Sequence, residues 1–165
     1  MSLSDRRNVL FAGAAFLMAS ACNFSPVYGP NAAGSKLEGR IYIAEPNTKN
    51  EYFVVRQLET RLGRADPAPM TLKFTVTESA ASLGTTSTGS TTRVQWRGVL
   101  IYQLNNSETG TSIANGSITN FTGYSATSNT AATLASERAA RERLMIILAD
   151  QLIDRLHVID PKLLP

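Results

Sequence analysis

The sequence predicts an α+β fold: a small antiparallel or mixed sheet of about four strands with two helices packed on one face, in the order β-α-β-β-β-α. Three observations carry this. Leu72, Phe74 and Val76 alternate with Lys73, Thr75 and Thr77, and Val94, Trp96, Leu100, Tyr102 and Leu104 continue that two-residue period. From about Asn129 to His157 the chain holds neither Gly nor Pro, and Leu144, Leu148, Leu152 and Leu156 recur every fourth residue. Between a short apolar run at Arg40–Ala44 and the first of the long strands lies a second helical stripe of Tyr52, Val55, Leu58 and Leu62.

In chain order, Arg40–Ala44 is the first strand, ended by Pro46. The stripe from Glu51 to Leu62 makes the first helix, with Gly63 placed to cap it and Asp66-Pro67-Ala68-Pro69 to break the chain. The two alternating strands follow. Between them Ser79 to Thr92 is mostly Ser, Thr, Gly and Ala, and reads either as a hairpin loop or as two strand ends that outrun the core. Asn105 to Gly110 is a turn. Thr111 to Ala126 is a weaker strand interrupted by Gly116 and Gly123. The last helix carries Glu137 and Arg141 four apart in the favourable order, and its first half, Ala131 to Arg143, is the more polar.

Composition narrows the function. The chain has 165 residues, 43% of them hydrophobic, with one Cys, one His and a formal charge of +3. A single Cys excludes an intrachain disulfide framework and a zinc site of paired thiolates. The mild charge, without Lys/Arg clusters, gives no nucleic-acid footprint. A Ser-His-acid triad would have to use His157, which sits near the chain end beside Leu156, Val158 and Ile159, where packing or capping is the simpler role. The carboxylate pairs Glu137/Glu142 and Asp150/Asp154 lie among arginines on the long helix and read as solvated ion pairs. No phosphate loop, dinucleotide fingerprint or metal-ligand spacing is present. The expectation is a non-enzymatic protein without a cofactor.

The N-terminus reads as an address. Arg6-Arg7 is followed by the uncharged run Val9 to Ala19 and then Ser20-Ala21-Cys22. A positive head, a short apolar core and small residues describe a secretory signal, too short for a membrane span of roughly 20 residues. Small residues before the lone cysteine resemble the bacterial lipobox, although Ala19 stands where Leu is usual. That resemblance implies cleavage after residue 21 and a covalent lipid on Cys22, adding about 0.8 kcal/mol of membrane affinity per buried methylene. The alternative is a buried N-terminal helix in which Cys22 is only a small apolar residue. Whether export follows the general or the twin-arginine route stays open. Asn23 in place of an aspartate leans towards the outer membrane. The expected organisation is a signal peptide over 1–21, a flexible tether over 22–39, rich in Pro, Gly, Ala and Ser, and a domain over 40–165.

One surface is a candidate binding site. Lys73, Thr75 and Thr77 share a parity, as do Arg93, Gln95 and Arg97. If both sets face away from the helices they form a polar sheet face with three cations. Lys73, Arg93 and Arg97 could then hold a phosphorylated amphiphile by charge-assisted hydrogen bonds, or simply be solvated and protect the sheet from aggregation.

The mature start and end resemble a known family. Cys22-Asn23-Phe24-Ser25-Pro26-Val27-Tyr28-Gly29 is similar to the opening of the LptE lipopolysaccharide-assembly lipoproteins of alphaproteobacteria, with Asn23 and Val27 departing from the pattern. Tyr124-Ser125-Ala126-Thr127 and the acid-and-arginine helix from Ala135 to Arg143, continuing through Ala149 to Leu156, are similar as well. The resemblance implies a lipid-anchored, periplasm-facing outer-membrane protein that plugs and helps assemble the LptD β-barrel and assists lipopolysaccharide insertion. It supplies no lipopolysaccharide-contact residue that can be carried over. Two rivals stand beside it: a periplasmic auxiliary lipoprotein of an ABC-type lipid transporter, and a lipid-anchored hydrolase, which the missing site disfavours.

Overall fold

The computed structural model describes residues 33–85, 91–127 and 129–165. The signal segment, Cys22 and the first part of the expected tether lie outside the described residues. The elements are α1 (Ala33–Leu37), β1 (Ile41–Ile43), α2 (Lys49–Leu62), β2 (Met70–Thr85), β3 (Thr91–Asn106), β4 (Ser112–Ser125), α3 (Thr130–His157) and a closing 3-10 turn, Pro161–Leu163. Four strands form one sheet in the order β1-β2-β3-β4. β1 runs parallel to β2, as the intervening helix permits, and the other pairs are antiparallel. The α+β class and the mixed four-stranded sheet are as the sequence predicts.

Two features differ from expectation. Residues 33–39, placed by composition in the tether, belong to the folded unit. α1 buries Ala33 and Leu37 in the core, and the Gly39 N–H donates to the Leu62 carbonyl at 2.7 Å. The Ser79 to Thr92 segment resolves in favour of strand ends: β2 continues to Thr85 and β3 starts at Thr91. At roughly 3.3 Å per residue these strands are about 50 Å long, more than the helix layer can cover along its whole length.

Local chemistry fixes each helix. Thr48 caps α2 by accepting from the Glu51 N–H at 3.2 Å, and the Glu51 carboxylate reaches back to the Asn47 N–H at 2.8 Å. The first bond satisfies a donor that the first turn leaves free, and the second ties the residue before the cap to the helix. Gly63 ends α2 at φ 76°, and its N–H donates to the Glu59 carbonyl. Asn129 caps α3 by accepting from the Ala132 N–H at 3.0 Å.

The core lies between one sheet face and the helices. Leu72, Leu100, Leu104 and Met70 meet Leu58, Leu144, Leu148, Leu152 and Ile153, all at 2% exposure or less. α3 packs tightly on β3 at Gly98, where a Cβ would lie 2.8 Å from Leu148 Cδ1. Thr122 of β4 donates its hydroxyl to the Ala140 carbonyl at 2.9 Å, a buried bond that fixes the same helix further along. Beyond that point the first turns of α3 are mostly exposed, Leu134 included.

Candidate functional site

The strand register settles which face the candidate cations occupy. Antiparallel partners share a face. Lys73 is opposite Gln103, Ser79 opposite Arg97, and Gly84 opposite Arg93. On the other side Arg97 is opposite Phe121 and Arg93 opposite Ser125. These residues alternate with the helix-facing Leu72, Leu100 and Leu104, so the three cations lie on the helix-free face, and all three are exposed. They do not converge. Ten strand positions separate Gln103, the partner of Lys73, from Arg93, a span of roughly 33 Å. The face is a line of charges, not a pocket around one anion.

Two concavities interrupt that line. One of about 530 Å³ lies at the Lys73 end, over Thr75, Ile101, Gln103, Asn115 and Ser117. The other, about 360 Å³, lies at the far end between Leu83, Arg93, Gln95 and Phe121. Arg97 stands between them on β3. Three large apolar side chains share the exposed face with the cations: Leu83 at 57%, Ile101 at 56% and Phe121 at 61%. The sequence reading missed these three. Their parity was available as a signal, because each falls in step with polar neighbours on its strand. The resulting surface is amphiphilic, able to pair a cation with an anionic group and an apolar side chain with a hydrocarbon within one strand spacing.

The helix-facing side of the sheet carries a second polar feature. Arg141 of α3 makes a two-point contact with Glu78 of β2, Nε to Oε2 at 3.1 Å and Nη2 to Oε1 at 3.1 Å. Asn50 of α2 also donates to Glu78. The guanidinium lies over the Trp96 ring, 4.6 Å from its centroid. The hydrogen bond to Glu78 raises the Arg141 pKa above its ordinary value, against burial, with the charges of Glu78 and Glu137 adding to it. The cluster is a structural clasp. Glu142 bonds Arg56 at 2.9 Å as the solvated ion pair expected of it, both side chains being exposed, and Asp150 accepts from Gln57 at 2.8 Å, so the two acids also join α3 to α2.

Among the described residues no group of three or more His, Cys, Asp or Glu is placed to hold a metal, and no helix is long and apolar enough to cross a membrane. His157 sits in the last turn of α3. Burial lowers its pKa below 6.5, Asp154 opposes that shift, and Arg61 adds to it. The unfolded chain therefore takes up a proton before the folded one, and stability falls as pH drops through the histidine range. Thermal melts between about pH 7.5 and 5 are expected to show a small acid-side loss that His157→Gln removes, with both proteins alike at the alkaline end.

Residues 39–156 match the family LptE, lipopolysaccharide-assembly. No curated protein matches the chain. Among solved structures, a Caulobacter crescentus protein described as a lipoprotein superposes with a TM-score of 0.62 at 20% identity, covering 76% of this chain and 92% of that one. Rare lipoprotein B of Shewanella oneidensis gives 0.53 at 15% identity, over 71% and 91%. A minor lipoprotein of Acinetobacter baumannii gives 0.55 at 14% identity, over 74% and 91%. At these identities the superpositions establish a shared fold.

Proposed function

We propose, because the chain belongs to the LptE lipopolysaccharide-assembly family, that it is an outer-membrane lipoprotein which plugs an LptD-like β-barrel and assists lipopolysaccharide insertion. The observation that carries this reading is the family match itself, which spans the sheet and nearly all of α3. It acts by occupying space and presenting a surface, without catalysis. Cleavage before Cys22 and acylation there would tether the domain to the periplasmic side of the membrane. The helix-free face supports the reading physically. Its Ser, Thr, Asn and Gln side chains suit the polar lumen of an outer-membrane barrel.

Lipopolysaccharide is an anionic amphiphile with phosphates and acyl chains. On this face Lys73, Arg93 and Arg97 take the phosphates, and Leu83, Ile101 and Phe121 take hydrocarbon. Spread charges favour several weak contacts along an extended ligand over one strong pocket. Each exposed charge contact contributes about 0.5 kcal/mol, so Lys73→Ser, Arg93→Ser and Arg97→Ser together are expected to weaken lipopolysaccharide binding about tenfold at low salt. Unchanged binding by the triple variant in a direct titration would remove these residues from the site. The functional reading is tested by affinity capture from detergent-solubilised membranes. Recovery of a large β-barrel protein supports it. Recovery of an ATPase complex instead would favour an auxiliary role in lipid transport.

A further inference from the structure

We propose that the outer edge of β4 is a self-association surface, through which two copies of this chain pair into one continuous sheet. The inference goes beyond the barrel-plug reading and does not depend on it. β4 ends the sheet, so along its 14 residues the outward N–H and C=O groups meet no strand among the described residues. Edge strands of soluble proteins are normally blunted by charges, prolines or short length. From Ser112 to Ser125 there is no charged residue and no proline. The opposite edge is treated differently: β1 covers Met70 to Leu72, and the uncovered part of β2 carries Lys73 and Glu78.

The occupant follows from charge and symmetry. A two-fold pairing brings each residue of a strand against the same strand of its partner, and like charges placed opposite destabilise it. A neutral strand meets its own copy without that cost. The flanking helix supplies the complementary half. Thr122 lies beside Ala140, while Ser117, Ile118 and Thr119 line a groove of about 330 Å³ with Gln151, Asp154 and Arg155. Thus α3 runs antiparallel to β4 along this edge. Asp154 and Arg155 are exposed, and among the described residues Arg155 pairs with no carboxylate and Asp154 with no lysine or arginine. A two-fold axis through Ile118, perpendicular to the sheet, sets Ser117 against the partner's Thr119. It also sets the two α3 helices antiparallel on one face, Asp154 facing the partner's Arg155, twice over. Insertion into a barrel would exchange this pairing for barrel contacts, so it belongs to the free lipoprotein.

Sedimentation equilibrium of the membrane-extracted protein in density-matched detergent tests this over about a hundredfold range of concentration. The expected mass is that of two chains. Ser117→Lys with Thr119→Lys gathers four lysines about the axis and should weaken the dimer at least tenfold, with circular dichroism unchanged. Thr77→Lys with Ser79→Lys, near the opposite edge, should leave it intact. Asp154→Arg alone should weaken the dimer, and adding Arg155→Asp should restore it, which keeps the test informative if the lysine pair fails to fold. A wild-type mass of one chain at every concentration, or a dimer indifferent to both the lysine pair and the charge exchange, overturns the proposal.

Discussion

Leu148→Ala is expected to cost about 3 kcal/mol and to lower the melting temperature by roughly 10 °C. Leu148 has no exposed surface and packs against Gly98 of β3. Truncation removes three carbons from a packed environment and leaves a void that neither the β3 backbone nor the neighbouring Leu144 can fully fill. The control is Leu134→Ala on the same helix. Leu134 is 44% exposed, so its loss should fall within about 0.5 kcal/mol. Equal effects at the two positions would mean that the C-terminal half of α3 is not docked on the sheet.

The same contact gives a sharper test. A Cβ on Gly98 would lie 2.8 Å from Leu148 Cδ1 and 3.2 Å from Leu144 Cδ2. Gly98→Ala alone should therefore destabilise by about 1 kcal/mol through overpacking, while Gly98→Ala in the Leu148→Ala background meets space in place of a methyl group. The two changes should be non-additive, the double variant being more stable than the sum of its parts by about 1 kcal/mol. Additivity would separate Gly98 from Leu148 in the folded protein.

How far the sequence could be read depends on where each signal resides. Period and capping are local, so Thr75/Val76 alternation, the Leu144 to Leu156 stripe and the Gly63 cap could each be read from a few residues. α1 could not. A five-residue helix containing Gly34 and Ser35 is far below the length at which helices hold themselves, and it exists because Leu37 and Ala33 find a core made by distant elements. The Ser/Thr-rich ends of β2 and β3 are likewise set by partners: the register runs on to Thr85 and Thr91 although neither end has strong strand composition of its own. The candidate cations show both sides. Parity placed Lys73, Arg93 and Arg97 on one face, but their spacing follows from the register, which only the paired strands define. Glu78 was legible in principle. It shares parity with Leu72, Phe74 and Val76, so it had to point at the helices, and an inward carboxylate demands a donor. Which of the many arginines supplies it is a tertiary fact.

That donor is Arg141, and Arg141→Ala is expected to cost about 2 kcal/mol, somewhat under the loss seen when one member of a fully buried ion pair is removed. The Glu78 side chain is 13% exposed and Arg141 35%, so solvent screens the pair in part. Truncation leaves the carboxylate with Asn50 as its remaining side-chain donor and strips the cation from the Trp96 face. Arg141→Lys should recover less than half of the loss, because an ammonium supplies one point of charge where the guanidinium supplies a two-point hydrogen bond and a stacking plane. Glu78→Gln combined with Arg141→Met should be less destabilising than Arg141→Ala alone, since the cost lies in the orphaned charge more than in the lost attraction. Trp96 is the sole tryptophan, so the same variants can be followed by its emission, which should shift to the red as the covering guanidinium is lost. The clasp joins β2 and β3 to α3 at positions 78, 96 and 141. Arg97 follows Trp96 directly on β3 and points to the opposite face. Loosening the clasp should therefore disturb the amphiphilic surface from behind. On the proposed reading of that surface, Arg141→Ala is expected to weaken lipopolysaccharide binding modestly without removing any group that faces the ligand, whereas the uncharged double replacement, Glu78→Gln with Arg141→Met, which keeps the strands seated, should not.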